Sequence, residues 1–257
     1  YISRFIDESF KNLGVRRSTK LMVVLGDSLD YCTGVVSKDN PNTSKRQYSI
    51  LRDYVSEGLT PITNIAMFTQ NVNAKRGDNI VTLGATDDSI PNEEITGSSQ
   101  DSELNPNSTT AGVERTGGLR AYYMGCAVFD GGTMKGVLSG RDTEIILMAK
   151  GMFRAGRITL HHEGGEGHMV LLLKGGGKPK VELSIGGDAP YAKMGVRLQC
   201  HIECGEEDMD YNKWNQEVKP MLEDYMEREL ERVFMLCRGM NSDAYEIGKY
   251  AAMKFHS

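Results

Sequence analysis

Long apolar runs and a basic charge balance are both missing from this sequence. No apolar run approaches the roughly 20 residues that a membrane-spanning helix needs, so we expect this chain to be soluble. The net charge of −5 excludes the positive surface on which nucleic-acid binding depends, and no nucleic-acid partner is predicted. Apolar residues make up 39% of the 257 residues, enough to build a sizeable hydrophobic core.

Cysteine pairs with the spacing of a disulfide framework or a zinc site are also missing. The five cysteines are scattered, and none forms a Cys-x-x-Cys pair. Cys200 and Cys204 fall on the same face of one predicted strand. They are roughly 13 Å apart at about 3.3 Å per residue, too far to share a disulfide or a metal ion. We therefore expect buried free thiols.

The apolar spacing predicts a mixed α/β (α+β) protein with two sheet-and-helix domains. Residues 1–85 should form a small α/β domain, in the order helix, strand, helix, helix, strand, with the first helix over residues 1–13. Thr60 is expected to cap the last of these helices, because Pro61 would then occupy the first helical position, where its missing N–H costs nothing.

The chain changes character at residues 86–118, which are dominated by Asp, Glu, Asn, Ser, Thr and Gly. Such a segment buries too little apolar surface to offset its ordering entropy. We expect a flexible polar linker or loop that orders when a partner binds, and a domain boundary at the same place.

Residues 119–257 should form a C-terminal α+β domain with a largely antiparallel sheet. A hairpin is predicted around Asp130-Gly131-Gly132, and a single strand is predicted over residues 192–204. A short helix is predicted over residues 143–151 and a long amphipathic helix over residues 220–237. The last helix should be capped by Asn241 or Ser242, with Ile247, Ala251 and Phe255 facing inward.

The block Gly26-Asp27-Ser28-Leu29 matches the signature of GDSL serine esterases. A serine nucleophile needs a base and an orienting carboxylate, which that family supplies as Asp-x-x-His. None of the five histidines has an Asp three positions before it, and the family's Gly-x-Asn-Asp block is missing. We therefore expect Gly26 to end a strand and Asp27 or Ser28 to cap the next turn. A GDSL-type hydrolase that uses Ser28 is kept as an alternative function.

The stretch HHEGGEGH at residues 161–168 combines three imidazoles with two carboxylates, which are good zinc ligands. Its glycines exclude the helix that a His-Glu-x-x-His site requires, and apolar runs flank it, so a hairpin tip is predicted. His161 and His162 would point to opposite faces, so at most one of them can meet His168. A metal-binding module is a second alternative. No catalytic, cofactor or metal-binding residue is predicted.

A short pattern links two C-terminal strands to a helix start. Gly125, Ala127 and Phe129 lie in one strand, Gly136, Leu138 and Ser139 follow in the next, and Glu144 lies at an acidic helix start. The long amphipathic helix, Asp243 and Gly248 come later in the same order. In these features the chain resembles the Ger(x)C family, the C subunits of bacterial spore germinant receptors. The Arg-containing turn GVRRSTK fits the family's N-terminal region, whereas the family's lipobox cysteine and aromatic finish do not occur here.

The resemblance implies a non-enzymatic, extracytoplasmic subunit of a nutrient receptor that triggers germination. Such a lipoprotein would be held by a palmitate-type acyl anchor on the outer face of the spore inner membrane. Its implied partners are the membrane-embedded A- and B-type subunits of the same receptor. Because the chain starts at Tyr1 without a lipobox, we expect a soluble fragment whose anchor lies outside this sequence. A generic periplasmic-type ligand-binding module is a further alternative.

Overall fold

The structure is a computed structural model, and it describes residues 8, 15–34, 43–74, 77–86, 121–161, 168–185, 190–204, 216 and 218–255. These residues contain nine strands and six helices. The strands are β1 (Met22–Leu25), β2 (Ile80–Thr86), β3 (Ala121–Asp130), β4 (Thr133–Leu138), β5 (Ala155–His161), β6 (His168–Gly175), β7 (Lys180–Ser184), β8 (Tyr191–Gly195) and β9 (Leu198–Cys204). The helices are α1 (Ser28–Gly34), α2 (Thr43–Ser56), α3 (Ile65–Ala74), α4 (Gly140–Ala149), α5 (Lys219–Gly239) and α6 (Ile247–Phe255). The helix predicted at residues 1–13 and the linker predicted at residues 86–118 fall outside the described residues, apart from Glu8 and Thr86.

The first sheet has the strand order β1-β2-β3-β4. β1 and β2 are parallel, and the other two pairs are antiparallel. Strands from before and after residues 86–118 therefore share one sheet. The division of the chain into two domains at this segment stays a prediction, and it has to accommodate this shared sheet.

Gly125 in β3 shows why the hairpin β3–β4 requires glycine at this point. Its φ is +97°, a left-handed conformation that residues with a side chain rarely adopt. A Cβ at this position would collide with the backbone carbonyl of Leu138 on the neighbouring strand. The predicted hairpin is confirmed, and Gly131 at φ +55° lies in its turn.

The remaining strands form a three-stranded antiparallel sheet, β5-β6-β9, and a separate hairpin, β7–β8. The prediction of one strand over residues 192–204 is therefore wrong. The backbone N–H of Gly176 donates to the carbonyl of Arg197 at 2.8 Å. This bond holds the short connection between β8 and β9 in place. β8 then pairs with β7, and β9 pairs with β6.

Two predicted helix caps are corrected by the side-chain hydrogen bonds. Asn64 caps α3 by accepting from the N–H of Met67 at 2.9 Å, whereas the Thr60 hydroxyl donates to the carbonyl of Gly125 at 2.9 Å. Asp243 caps α6, because its carboxylate accepts from the N–H groups of Ile247 and Gly248 at 2.8 and 2.7 Å.

The residues predicted to cap α6 have other roles. Ser242 donates its hydroxyl to the carbonyl of Phe129 at 2.6 Å, and the Asn241 amide donates to Asp130 at 3.0 Å. These bonds fasten the turn before α6 to the β3–β4 hairpin. Phe255 is 40% exposed, so the prediction that it faces inward is wrong.

The helix predicted at residues 143–151 begins three residues earlier, as α4. The hydroxyl of Ser139 accepts from the N–H of Asp142 at 3.1 Å and so caps the first turn. Every residue of α4 is buried except Arg141, which is half-buried. The long helix predicted near residues 220–237 is confirmed as α5.

Two main hydrophobic cores hold these elements together, and a small cluster around Tyr31 packs α1 on β1. The larger one lies between α4, α5, the sheet β5-β6-β9 and the β3–β4 hairpin, and the smaller one packs α3 on the first sheet. The mixed α/β fold class with a long amphipathic C-terminal helix is confirmed. A groove is left between α5 and the β7–β8 hairpin.

Candidate functional site

The GDSL-like block is a strand end followed by a helix cap. Gly26 leaves β1 at φ +89°, and the Asp27 carboxylate accepts from the N–H groups of Leu29 and Asp30 at 2.6 and 3.3 Å. Asp27 therefore caps α1, as one of the two alternatives from the sequence predicted. Ser28 is the exposed first residue of α1.

The histidine-rich stretch begins at the last residue of β5 and ends at the first residue of β6, and the hairpin tip predicted between them lies outside the described residues. His161 and His168 are backbone partners in the register, and residues 162–167 lie outside the described part of the chain. Cys200, predicted to be a buried thiol, is free but only half-buried, because it lines the groove beside α5.

The groove between α5 and the β7–β8 hairpin has a volume of about 960 Å³. One wall is α5, the opposite wall is formed by β7 and β8, and residues of β6 and β9 lie at its base. A volume near this size is typical of sites that take up a ligand or a segment of a partner. None of the sequence predictions pointed to it.

Two rows of side chains run along the groove side of α5. The first row is apolar and consists of Leu222, Met226, Leu230 and Phe234. The second row lies beside it and consists of Lys219, Glu223, Glu227 and Glu231. Each row advances by four residues, so neighbours within a row lie one helical turn apart on the same face.

The opposite wall presents apolar side chains from the β7–β8 hairpin. Val181 and Met194 are cross-strand partners, and both line the groove. Lys193 and the 60% exposed Tyr191 add a cation and an aromatic ring. The Lys254 ammonium of α6 donates to the carbonyl of Leu183, which holds the hairpin against the end of α6.

One end of the groove is closed by an aromatic pair. Phe234 and Tyr245 meet edge to face, with their ring centroids 5.5 Å apart. The Tyr245 hydroxyl donates to the carbonyl of Leu230 at 2.9 Å. Burial raises the pKa of Tyr245 above its ordinary value, so the hydroxyl stays protonated as a donor.

The other side of α5 carries a buried ionic network with α4. Arg232 donates to Asp142 at 2.6 Å and to Glu229 at 2.8 Å, and the second oxygen of Asp142 accepts from Ser139 at 2.8 Å. The Asp142 side chain is only 3% exposed. These bonds join the start of α4 to the middle of α5.

A second buried ion pair lies on α4 and also reaches α5. Arg141 donates to Glu144 at 2.6 Å and to the Tyr225 hydroxyl at 3.3 Å. Burial raises the pKa of Glu144 above its ordinary value, although the ion pair with Arg141 opposes that shift. Among the described residues, no buried polar side-chain atom is left without a hydrogen-bond partner.

A third set of charges surrounds Glu246 in the turn before α6, where its pair with Lys150 is buried and its pair with Lys249 is exposed. Lys150 lies 2.7 Å from Glu246, and Lys249 lies 2.9 Å from it. Burial opposes the ionisation of Glu246, but the two lysines outweigh it and hold the pKa of Glu246 below its ordinary value. Burial raises the pKa of Asp243, and the N–H groups of Gly248 and Ile247 oppose that shift.

Apart from the long helix α5, the residues behind the family resemblance shape the fold rather than the groove. Ala127, Phe129 and Leu138 lie in the cores, Ser139 caps α4 and Asp243 caps α6. A Cβ on Gly136 would meet the sulfur of Met240 at 2.7 Å. The groove was missed, although the spacing of four between Glu223, Glu227 and Glu231 was a sequence signal for its acidic edge.

Comparison with known proteins identifies similarity in the part of the chain that contains the groove. Residues 124–257 match the family described as spore germination B3/GerAC like, C-terminal. The chain is also similar to a solved structure, the crystal structure of the GerBC protein, with a TM-score of 0.65 and 13% sequence identity. That match covers 100% of this chain and 65% of the GerBC chain, and it shows a shared fold. No curated protein matches the sequence.

Proposed function

This chain belongs to the spore germination B3/GerAC-like family, and we propose that it acts as the non-enzymatic C subunit of a germinant receptor. The observation that carries the proposal is the family match over residues 124–257, just over half of the chain. The fold shared with GerBC over the whole chain supports it.

We further propose that the subunit lies on the outer face of the spore inner membrane, where a lipid anchor holds it. In the described part of the chain, no helix is long and apolar enough to cross a membrane. A single acyl chain gives only marginal membrane binding, so a second attachment is needed. Contacts with the membrane-embedded A- and B-type subunits of the same receptor would supply it.

The role proposed here is assembly and signalling without catalysis. Asp27 of the GDSL-like block is engaged as a helix cap, a structural role that accounts for the motif. A fluorophosphonate probe tests the rival esterase function directly, because it labels an activated serine. Labelling of the native chain that is lost in Ser28→Ala would favour the hydrolase.

The proposed function predicts a specific germination defect. The gene for the full-length protein is deleted in its spore-former, and dipicolinate release from purified spores is followed after exposure to a panel of nutrients. We expect loss of the response to one nutrient class and a normal response to chemical triggers that bypass receptors. A normal response to every nutrient, in a strain that has no other receptor of this family, would contradict the proposal.

A further inference from the structure

The length of the apolar row in the groove suits an extended partner. From Lys219 to Phe234 the helix α5 rises about 22 Å, at about 1.5 Å per residue. This corresponds to about four turns of a second helix lying alongside. The apolar side chains recur at every turn of α5, and they differ in exposure. Leu222 and Met226 are buried in the larger core, whereas the half-buried Leu230 and Phe234 offer most of the apolar contact surface to a second helix.

The acidic row beside it is not explained by folding. Glu223, Glu227 and Glu231 are exposed and follow one another at intervals of four residues, where like charges repel. Glu223 reaches Lys219 only at 4.0 Å, and Glu227 and Glu231 form no ion pair within the described residues. The row therefore weakens α5 slightly while it gives one edge of the groove a negative potential.

The rest of the lining contains few polar groups. Two cations face the groove, Lys219 at the start of α5 and Lys193 on the opposite wall. Tyr191, 60% exposed at the edge of β8, is the type of aromatic residue that anchors protein interfaces. A small polar nutrient would need several polar groups that converge on one point, whereas here the carboxylates are spread along one edge.

We propose that the groove between α5 and the β7–β8 hairpin is a docking site for an amphipathic helix of a partner protein. The apolar face of that helix packs mainly on the half-buried Leu230 and Phe234 of α5 and on Val181 and Met194 of the opposite wall. Lys or Arg residues along its flank pair with Glu223, Glu227 and Glu231. The chemistry of the helix follows from the groove alone. Its origin, a membrane-embedded subunit of the same receptor, rests on the proposed function.

Binding is tested with two labelled model peptides and the whole 257-residue chain. Both peptides are about four helical turns long and carry Leu at helical spacing along one face. One has Lys along the flanks of that face, and its twin has Glu. Fluorescence anisotropy should show that the Lys peptide binds at least about tenfold more tightly than the Glu peptide, and that added salt reduces the difference.

Three variants locate the binding surface. Glu227→Lys combined with Glu231→Lys should reverse the preference between the two peptides. Tyr191→Asp should weaken binding of the Lys peptide about tenfold, as expected for an aromatic anchor. Met235→Asp is the matched control, because Met235 is 51% exposed on α5 but does not line the groove, and it should leave binding unchanged. Unchanged circular dichroism and urea midpoints show that each variant is folded.

Equal affinity for both peptides, or a preference that the double charge reversal leaves in place, would overturn the proposal. Thermal stabilisation by small apolar amines without peptide binding would assign the groove to a small ligand and overturn it as well. Failure here is distinguishable from failure of the proposed function. The peptide assay uses the chain alone, whereas the proposed function depends on the germination of deletion spores.

Discussion

The side of α5 that faces α4 and the side that faces the groove differ in how their charges are satisfied. Toward α4, Arg232 is held by Asp142 and Glu229 at 2.6 and 2.8 Å, in surroundings that exclude most water. Toward the groove, Glu227 and Glu231 stand in a row of exposed carboxylates without an ion pair in the described part of the chain. The charges on the side toward α4 are paired inside the fold, whereas the carboxylates on the groove side are left on the surface.

Arg232→Leu should cause the largest change. It leaves the Asp142 carboxylate buried without its cation, so the free energy of unfolding should fall by about 3 to 5 kcal/mol. The control is Arg228→Leu, whose ion pair with Asp224 at 3.0 Å is exposed on both sides and should contribute less than about 1 kcal/mol. Urea unfolding measures both. Similar losses for the two variants would remove the energetic distinction between the two surfaces.

If Arg232→Leu does not accumulate as a folded protein, Arg232→Lys provides the measurement. Lysine keeps the positive charge but cannot reproduce the guanidinium fork that bridges Asp142 and Glu229. Its loss of stability should lie between those of the other two variants.

Glu246→Gln should have a smaller effect that depends on pH. Its ion pair with Lys150 is buried, so we expect a loss of about 2 kcal/mol at pH 7. The folded-state pKa of Glu246 is below its ordinary value, so its contribution is complete above about pH 5 and is lost as the pH falls through the folded-state pKa. The difference between wild type and variant should therefore shrink in acid. Glu144 and Asp243 have raised pKa values. Both residues are present in wild type and variant, so their contributions cancel in the difference between the two free energies of unfolding. If the stability difference between wild type and Glu246→Gln widened in acid, the lowered pKa of Glu246 would be contradicted.

Glu227→Lys should stabilise the protein slightly. The substitution replaces two repulsive contacts, with Glu223 and Glu231, by two attractive ones at the same helical spacing, for a gain of about 1 kcal/mol. Urea unfolding at low salt is the measurement, and the gain should decrease at high salt. Destabilisation by more than 1 kcal/mol, on the order of a buried contact, would mean that Glu227 has a partner important for folding.

Thiol reactivity is the most sensitive local test of the groove. Burial raises the pKa values of Cys126 and Cys237 to about 12, so both should resist a thiol reagent at pH 8 in the folded protein. The exposed Cys32 should react first, and the half-buried Cys200 more slowly, because burial raises its pKa. The Lys peptide should protect Cys200 and leave Cys32 unchanged, as read by mass mapping of the labelled sites. Equal labelling of Cys200 with and without peptide would place the peptide elsewhere.

Local patterns predicted much of the fold. The apolar stripe predicted the helix α5, and the glycines of the turn predicted the β3–β4 hairpin. Both signals come from residues close in sequence, and both predictions are confirmed. The cap of α6 could not be chosen in this way, because Asn241, Ser242 and Asp243 are all good capping residues. Contacts with Phe129 and Asp130, more than 100 residues away, occupy the first two and leave Asp243 as the cap.

The groove and the ionic network could not be predicted because both depend on distant pairs. Asp142 and Arg232 are 90 residues apart, and neither lies in a recognisable motif. The break between β8 and β9 depends on the bond from Gly176 to Arg197, so alternation alone predicted one continuous strand. Without that break, no hairpin stands opposite α5 and no groove exists.

Photo-crosslinking in intact spores tests the docking surface most directly. A photoreactive amino acid replaces Tyr191 at the groove edge of the full-length protein, and in a control strain it replaces Met235 on the far side of α5. Both positions are exposed, so both tolerate the substitution. We expect a conjugate with a membrane-embedded receptor subunit from position 191 and none from position 235, as identified by mass spectrometry. A conjugate of equal yield from both positions, or one from position 235 alone, would contradict it.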